Sequence, residues 1–336
     1  MAWAVANSNL ALVKYWGKGD ESANQPASTS LSVTLDSLST AAEVVFSAEL
    51  SGDRVEGLPP AAETRVLRFF ERFRATFGVR GHAAVFLASN FPVAAGLASS
   101  ASTFAALSKA AAVAAGLTLG DAELAEIARS GSGSACRSIY GGFVEWRPQG
   151  GGSVVEPIAA REHWPLHILV AVTSEKPKAV GSSEGMRRTA ATSPYYPAWL
   201  RSGADDLAEV RAAIRARDLP RLGAAAERNC LRMHAAAMAA APPLVYWEPA
   251  TLAAMRRVWE LRDRGVEAYF SIDAGPQVKV LCEADDAEAV KAAMVAVPGV
   301  IRVLSAQPGD GARVVDRPPP WALAGARSLS RQAVGS

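Results

Sequence analysis

A chain of 336 residues has room for two ordinary domains. Half of it is hydrophobic and a fifth charged, which excludes a disordered chain, and a net charge of +2 excludes a general pull toward nucleic acid or an anionic membrane. Three widely spaced cysteines (Cys136, Cys230, Cys282), four histidines without ligand spacing, no apolar run of bilayer length and no leader pattern exclude a disulfide framework, a structural zinc and a membrane span, and make a cytoplasmic home the expectation.

In chain order, residues 10–13 read as a buried strand, and Lys14-Tyr15-Trp16-Gly17-Lys18 follows it. On charge alone the two lysines read as a solvated strand end. From Thr29 to Leu35 hydroxyl and apolar residues alternate, as in a half-buried strand, and residues 40–46 read as another. Residues 51–60 read as a loop. Val66, Leu67, Phe70, Phe73 and Phe77 form a helical stripe over 63–77. A strand at 84–88 then delivers Asn90-Phe91-Pro92-Val93-Ala94-Ala95-Gly96-Leu97-Ala98-Ser99-Ser100-Ala101-Ser102, which opens an Ala-rich helix to about residue 115. Small residues and hydroxyls at a helix start fit either a loop wrapped round a polyphosphate or a simple helix cap. It is not a Walker loop, because no Gly-Lys-Ser/Thr follows at the required spacing.

After a short helix at 121–129 comes Ser130-Gly131-Ser132-Gly133-Ser134-Ala135-Cys136-Arg137-Ser138. A linker would not run straight into an apolar strand, so small residues, hydroxyls and one arginine favour a second anion cradle. A strand at 166–172 opens the second half. The segment 176–192, with Lys176, Lys178, Ser182, Ser183, Arg187 and Arg188, reads equally as a phosphate-facing loop or as solvated surface. Helices are expected at 207–217, 222–241 and 252–264, then a strand at 267–272 ending in Asp273-Ala274-Gly275-Pro276-Gln277. Asp273 is either a fixed carboxylate or a turn former. A strand at 278–282, a helix at 286–297 and strands at 300–304 and 313–315 complete the reading, with a loosely held tail from 318 to 336.

Taken together, these segments resemble the diphosphomevalonate decarboxylases of the galactokinase–homoserine kinase–mevalonate kinase (GHMP kinase) superfamily. The carriers are Asn9 to Lys18, Phe91 to Ala101, Gly131 to Ser138, Ser182 with Gly185-Met186, His234 with Pro242-Pro243, and Asp273-Ala274-Gly275-Pro276, in that order over roughly residues 5–315. The resemblance implies an α+β chain, with a ribosomal-protein-S5-like GHMP kinase N-terminal domain over 1–165 and a ferredoxin-like GHMP kinase C-terminal domain over 166–317. It implies ATP and Mg²⁺, a small phosphorylated mevalonate as substrate, no nucleic-acid or membrane partner, and a homodimer. By residue, it implies Asp273, Arg137 and Lys18 as catalytic groups. Lys14, Tyr15, Lys18, Ser134, Arg137 and Ser182 would bind substrate. Ala95, Gly96, Leu97, Ser99, Ser100 and Lys178 would bind the nucleotide, with Mg²⁺ held mainly by its phosphates and Ser100 a candidate ligand. A monophosphate substrate, or a kinase that does not decarboxylate, is the alternative. Ser28, Pro177, Gly181 and Glu184 depart from the family pattern, as does the run Asn229 to Met233.

Overall fold

The structure is a computed structural model, described over residues 1–20, 24–92 and 99–323. Its first half contains β1 (Ala2–Val13), a small hairpin of β2 (Lys18–Asp20) and β3 (Gln25–Pro26), β4 (Ser30–Ser47), β5 (Arg54–Glu56), α1 (Pro60–Phe77) and β6 (His82–Ser89). Next come α2 (Ser99–Ala114), α3 (Asp121–Gly131), a 3₁₀ helix (Gly133–Ile139), β7 (Phe143–Gln149) and β8 (Gly152–Ala159). The second half contains β9 (His167–Val172), the helices α4 (Ser182–Thr192), α5 (Tyr196–Ala216), α6 (Leu219–Met238) and α7 (Pro249–Asp263), then β10 (Ala268–Ser271), β11 (Val278–Cys282), α8 (Ala287–Val295), β12 (Arg302–Ala306), β13 (Arg313–Val315) and α9 (Pro320–Leu323).

Two sheets organise these elements. The larger runs β13-β1-β4-β6-β5, with β7 on the other stretch of β4 and β8 outside it. The smaller runs β10-β11-β9-β12, all antiparallel; read as strands of one βαββαβ unit, its order is second, third, first, fourth, the ferredoxin-like arrangement. The fold is the α+β one of the GHMP kinase type. One face of the large sheet packs Val44, Val85 and Leu87 against α1, α2 and α3. The stripe of α1 differs from its sequence reading: Phe69 joins Val66, Phe70 and Phe73 inside, while Leu67 is exposed. The other face of β1 and β4 meets α5, α6 and the small sheet in one shared core that includes Leu10, Leu12, Val33, Val170, Val210, Ile214 and Leu281. Because this core is continuous, strand ends from both sheets arrive at one place.

Some expectations are corrected. The strands expected at 29–35 and 40–46 are one long strand, β4, whose exposed Asp36 and Ser37 look like a break in the sequence. Those two residues instead clasp the second half: Ser37 Oγ donates to Ser305 O at 2.6 Å, and Gln307 N donates to Asp36 Oδ1 at 2.8 Å. The chain also crosses back at its end, because β13 pairs with β1 of the large sheet, so residues 313–315 are not part of the second half's sheet. The expected tail begins with α9, whose Ala322 is buried with Trp3 and Phe86; residues 324–336 lie outside the described residues. No helix among the described residues is long and apolar enough to cross a membrane.

Candidate active site

A cavity of about 600 Å³ lies between the two halves. Lys14, Tyr15, Lys18, Ser134, Arg137 and Ser182 all line it, and so do Ser99, Ser100, Lys178 and Asp273. Ala95, Gly96 and Leu97 lie outside the described residues. The segment after β1 reaches the cavity through a turn that only glycine fits. Gly17 has φ 140°, and a Cβ there would sit 1.8 Å from Tyr196 Oη on α5.

Asp273 lines this cavity, just after β10. Its backbone is pinned from α6: Ile272 N donates to Cys230 Sγ at 3.1 Å, and His234 Nε2 donates to Ile272 O at 3.2 Å. A tight turn follows, with Gly275 N donating to Asp273 O at 2.7 Å. The carboxylate is clamped between two buried ammonium groups. Nζ of Lys14, the residue after β1, is 2.7 Å from Oδ1, and Lys279 Nζ of β11 bonds Oδ2. Burial alone would raise the Asp273 pKa, but the charges of Lys14 and Lys279 reverse that and hold it well below the usual carboxylate range. Lys14 is itself fixed: its backbone N–H donates to Asn229 Oδ1 at 2.8 Å, and Asn229 Nδ2 donates to the fully buried Asp206 at 3.0 Å.

Arg137, on the 3₁₀ helix and 1% exposed, lines the same cavity. Its guanidinium donates to Ser32 Oγ at 2.8 Å, Ser30 Oγ at 2.6 Å and Asn9 Oδ1 at 3.2 Å. None of these partners carries a charge. Asn9 is oriented in turn by Nδ2 donating to Ser138 Oγ at 2.8 Å. The guanidinium carbon also lies 5.9 Å from the ring centroid of Trp146. Burial lowers the Arg137 pKa from its ordinary value, although the group stays a cation at any working pH. A desolvated cation with neutral partners is an anion site. Tyr15, its ring tilted against Trp146 with centroids 4.7 Å apart, packs against Gly133, where a Cβ would come within 2.7 Å of its hydroxyl. That buried hydroxyl has no hydrogen-bond partner among the described residues, and burial raises its pKa.

Elsewhere in the lining the two Gly/Ser stretches meet. Ser100 Oγ at the start of α2 lies 3.1 Å from Ser132 Oγ. Backbone N–H groups of the first turn of α2 therefore open beside Gly131 and Gly133, a setting for phosphate oxygens. Lys178 closes the third side, donating to Ser182 Oγ and Ala274 O, both at 2.8 Å. Burial, with Lys279 and Arg65 nearby, pushes its pKa down to about 8. The segment 176–192 is thus partly site and partly surface. Lys178 and Ser182 line the cavity, while Glu184 turns to the exposed side of α4 and pairs with Arg187 and Arg188.

Several residues escape a reading of the sequence. Lys279 sits within the apolar run Val278 to Cys282; a lysine in a strand that is otherwise wholly buried was the available signal. Ser30 and Ser32 read as the wet face of a half-buried strand, yet both are fully buried and hold Arg137. Asn229 gave no signal. His234 is buried on Trp247 at 4.9 Å and its pKa is pushed down to about 3, so it is a neutral structural donor.

The chain's relatives agree along both halves. Residues 6–154 match the diphosphomevalonate decarboxylase-like N-terminal domain, and residues 168–306 match the mevalonate 5-diphosphate decarboxylase C-terminal domain. The diphosphomevalonate decarboxylase of Homo sapiens is 35% identical over 305 residues, covering 81% of this chain and 74% of its own. A solved structure described as "MDDEF in complex with MVAPP, AMPPCP and Magnesium" has a TM-score of 0.88 at 40% identity, covering 94% of this chain and 99% of that one. Mevalonate diphosphate decarboxylase from Staphylococcus aureus gives 0.88 at 35% identity, over 94% and 98%. The cavity is built from both matched regions, and sequence and backbone point the same way: the chain belongs to the diphosphomevalonate decarboxylase family.

Proposed function

We propose that the protein converts 5-diphosphomevalonate and ATP into isopentenyl diphosphate, ADP, phosphate and carbon dioxide. The observation that carries this reading is the pairing, in one cavity, of an uncompensated buried cation, Arg137, with a carboxylate, Asp273, held ionised by two lysines. A kinase needs a positioned hydroxyl and a phosphate cradle. Decarboxylation also needs a fixed negative charge where positive charge develops on carbon.

In this reading Asp273 accepts the hydrogen bond of the substrate's 3-hydroxyl and aims its oxygen at the γ-phosphorus. A carboxylate so well compensated is a weak base, so its work is orientation rather than early proton removal. That is sufficient for phosphoryl transfer, whose loose transition state demands little from the nucleophile: the γ-phosphorus–oxygen bond to ADP breaks as the new bond forms, and the hydroxyl proton passes late to the transferred phosphoryl oxygens. Once the 3-phosphate forms, the C3–O bond breaks and phosphate carries off the electron pair. Positive charge then grows at C3 beside Asp273. The C1–C2 bond breaks next, its electron pair forms the C2=C3 double bond, and carbon dioxide leaves. Arg137, with Ser134, holds the substrate's carboxylate end, for which its planar fork is suited. Lys18, Tyr15 and Ser182 hold the diphosphate, and Lys14 bridges Asp273 and bound substrate.

The polyphosphate of ATP fits the hydroxyls and helix start at Ser99 and Ser100, with Lys178 opposite. Mg²⁺ would be held mainly by those phosphates, with Ser100 the candidate protein ligand, and would supply neutralisation of charge on the transferring group. For Ala95, Gly96 and Leu97 the nucleotide role rests on the resemblance. The resemblance also carries a cytoplasmic homodimer, which sedimentation at assay concentration would test. The substrate assignment is tested by comparing kcat/KM for 5-diphosphomevalonate and 5-phosphomevalonate. The diphosphate should be preferred by tenfold or more, about the cost of leaving one buried cation without its partner. Equal or better turnover of the monophosphate would overturn it.

A further inference from the structure

We propose that Lys279 is a positioning residue for this reaction, holding the Asp273 carboxylate in place from behind without touching substrate. The inference rests on the proposed role of Asp273. All five residues of β11 are buried. Val278, Val280 and Cys282 pack into the core with α7 and α8, and Leu281 faces the core shared by the halves. Lys279 shares the face of Leu281, where the strand's period of two calls for an apolar side chain. Its side chain is 1% exposed. A buried ammonium is costly unless an anion compensates it, and Asp273 Oδ2 does so.

The carboxylate's two oxygens have different company. Oδ1 meets Lys14, which lines the cavity; Oδ2 meets Lys279, which is not among the residues lining it. Two ammonium groups, one just after β1 and one on β11, fix the plane of the carboxylate, as one could not. The other ionisable groups facing Asp273 are Lys178 before α4, Arg137 on the 3₁₀ helix, and Cys230 and His234 on α6. The Cys230 thiol is pushed up to about 11 and His234 down to about 3, so both are neutral at working pH. Removing Lys279 therefore leaves Lys14 as the ammonium that Asp273 contacts directly, with a freer carboxylate that takes up a proton more readily.

The test compares Lys279→Met, Asp273→Asn and the double variant in the full-length enzyme. Lys279→Met should lower kcat by roughly 10–100-fold, the usual range for a group that orients a reacting one, with KM for ATP within about twofold. Its acid limb of kcat should move up by about one pH unit, as expected when a carboxylate loses a neighbouring cation. In the Asp273→Asn background, Lys279→Met should change kcat by less than about twofold, because the two act as a unit. If the Met variant melts below assay temperature, Lys279→Gln carries the same three readouts. Wild-type kcat with an unmoved acid limb, or an equal loss in both backgrounds, would reduce Lys279 to a structural ion pair. Normal turnover of Asp273→Asn would sink the reading of the site itself. A disabled Asp273→Asn beside a normal Lys279→Met would sink only the inference about Lys279.

Discussion

Two charged groups of the cavity solve opposite electrostatic problems. Around Asp273, the chain brings an anion and two buried cations together and settles their charges before any ligand arrives. Around Arg137, it buries a cation among hydroxyls and an amide and leaves its charge open. The first arrangement fixes geometry and the second stores affinity. A site that must grip an anion, and then expose a developing cation to a fixed carboxylate, needs both.

Removing the compensated anion should do the most damage. Asp273→Asn is expected to lower kcat by roughly 10²–10⁴-fold, the range for losing a positioned acid–base group, with ATP affinity nearly intact. It should also cost stability of about 3–5 kcal/mol, because Lys14 and Lys279 lose that carboxylate. Steady-state turnover, nucleotide titration and calorimetry check the three parts, and wild-type turnover would remove Asp273 from the chemistry.

Arg137 should show the reverse profile. Arg137→Gln is expected to cost about 2–5 kcal/mol in substrate binding, as truncating one side of a buried charge pair does. Arg137→Lys should recover only part of it, since the fork is lost. Without ligand, Arg137→Gln should lower the melting temperature less than Asp273→Asn does. The opposite order would break the contrast between the two groups.

A smaller effect concerns Lys178, whose pKa is pushed down to about 8 mainly by burial. Its charge is present below that value and lost as pH rises through it, so KM for ATP should climb above pH 8. Bound polyphosphate raises the pKa, and binding near pH 8 should take up a proton. Stability moves the other way. The free folded protein binds fewer protons here than the unfolded chain between about 8 and the ordinary lysine value, so this group makes stability rise with pH across that window. Lys178→Arg, charged throughout, should flatten the KM profile; an unchanged profile would place Lys178 away from the nucleotide. The smallest effect belongs to Glu184. It pairs with Arg187 and Arg188 on the exposed side of α4, so Glu184→Ala should leave kcat/KM within about twofold.

The sequence made some of this legible and hid the rest, for physical reasons. Arg137 stood out because a lone cation in a Gly/Ser stretch asks for an anion, and Asp273 because it ends a strand on Ala-Gly-Pro, although a turn former reads the same way. Both Gly/Ser stretches stood out for the same reason, and Ser100 and Ser132 do meet. Lys279 was hidden because the strand around it reads as uniformly apolar. Ser30 and Ser32 were hidden because alternation looks the same whether the polar face meets water or a buried guanidinium. Asn229 could not be read at all, since its importance comes from a backbone N–H on a strand far away in sequence. The strands at 29–35 and 40–46 were read as separate because exposure within a strand and exposure in a turn leave the same polar pair, here Asp36 and Ser37. In each case the local pattern was right and the partner was non-local.

The claim that the chain decarboxylates, and does not merely phosphorylate, is tested most directly by following ADP and carbon dioxide together with 5-diphosphomevalonate and ATP. A constant ratio of one carbon dioxide per ADP is predicted from the first turnover onward, because in the proposed mechanism Asp273 is in place beside the carbon when phosphate leaves. ADP accumulating without carbon dioxide would contradict the account and make the protein a kinase on the same scaffold.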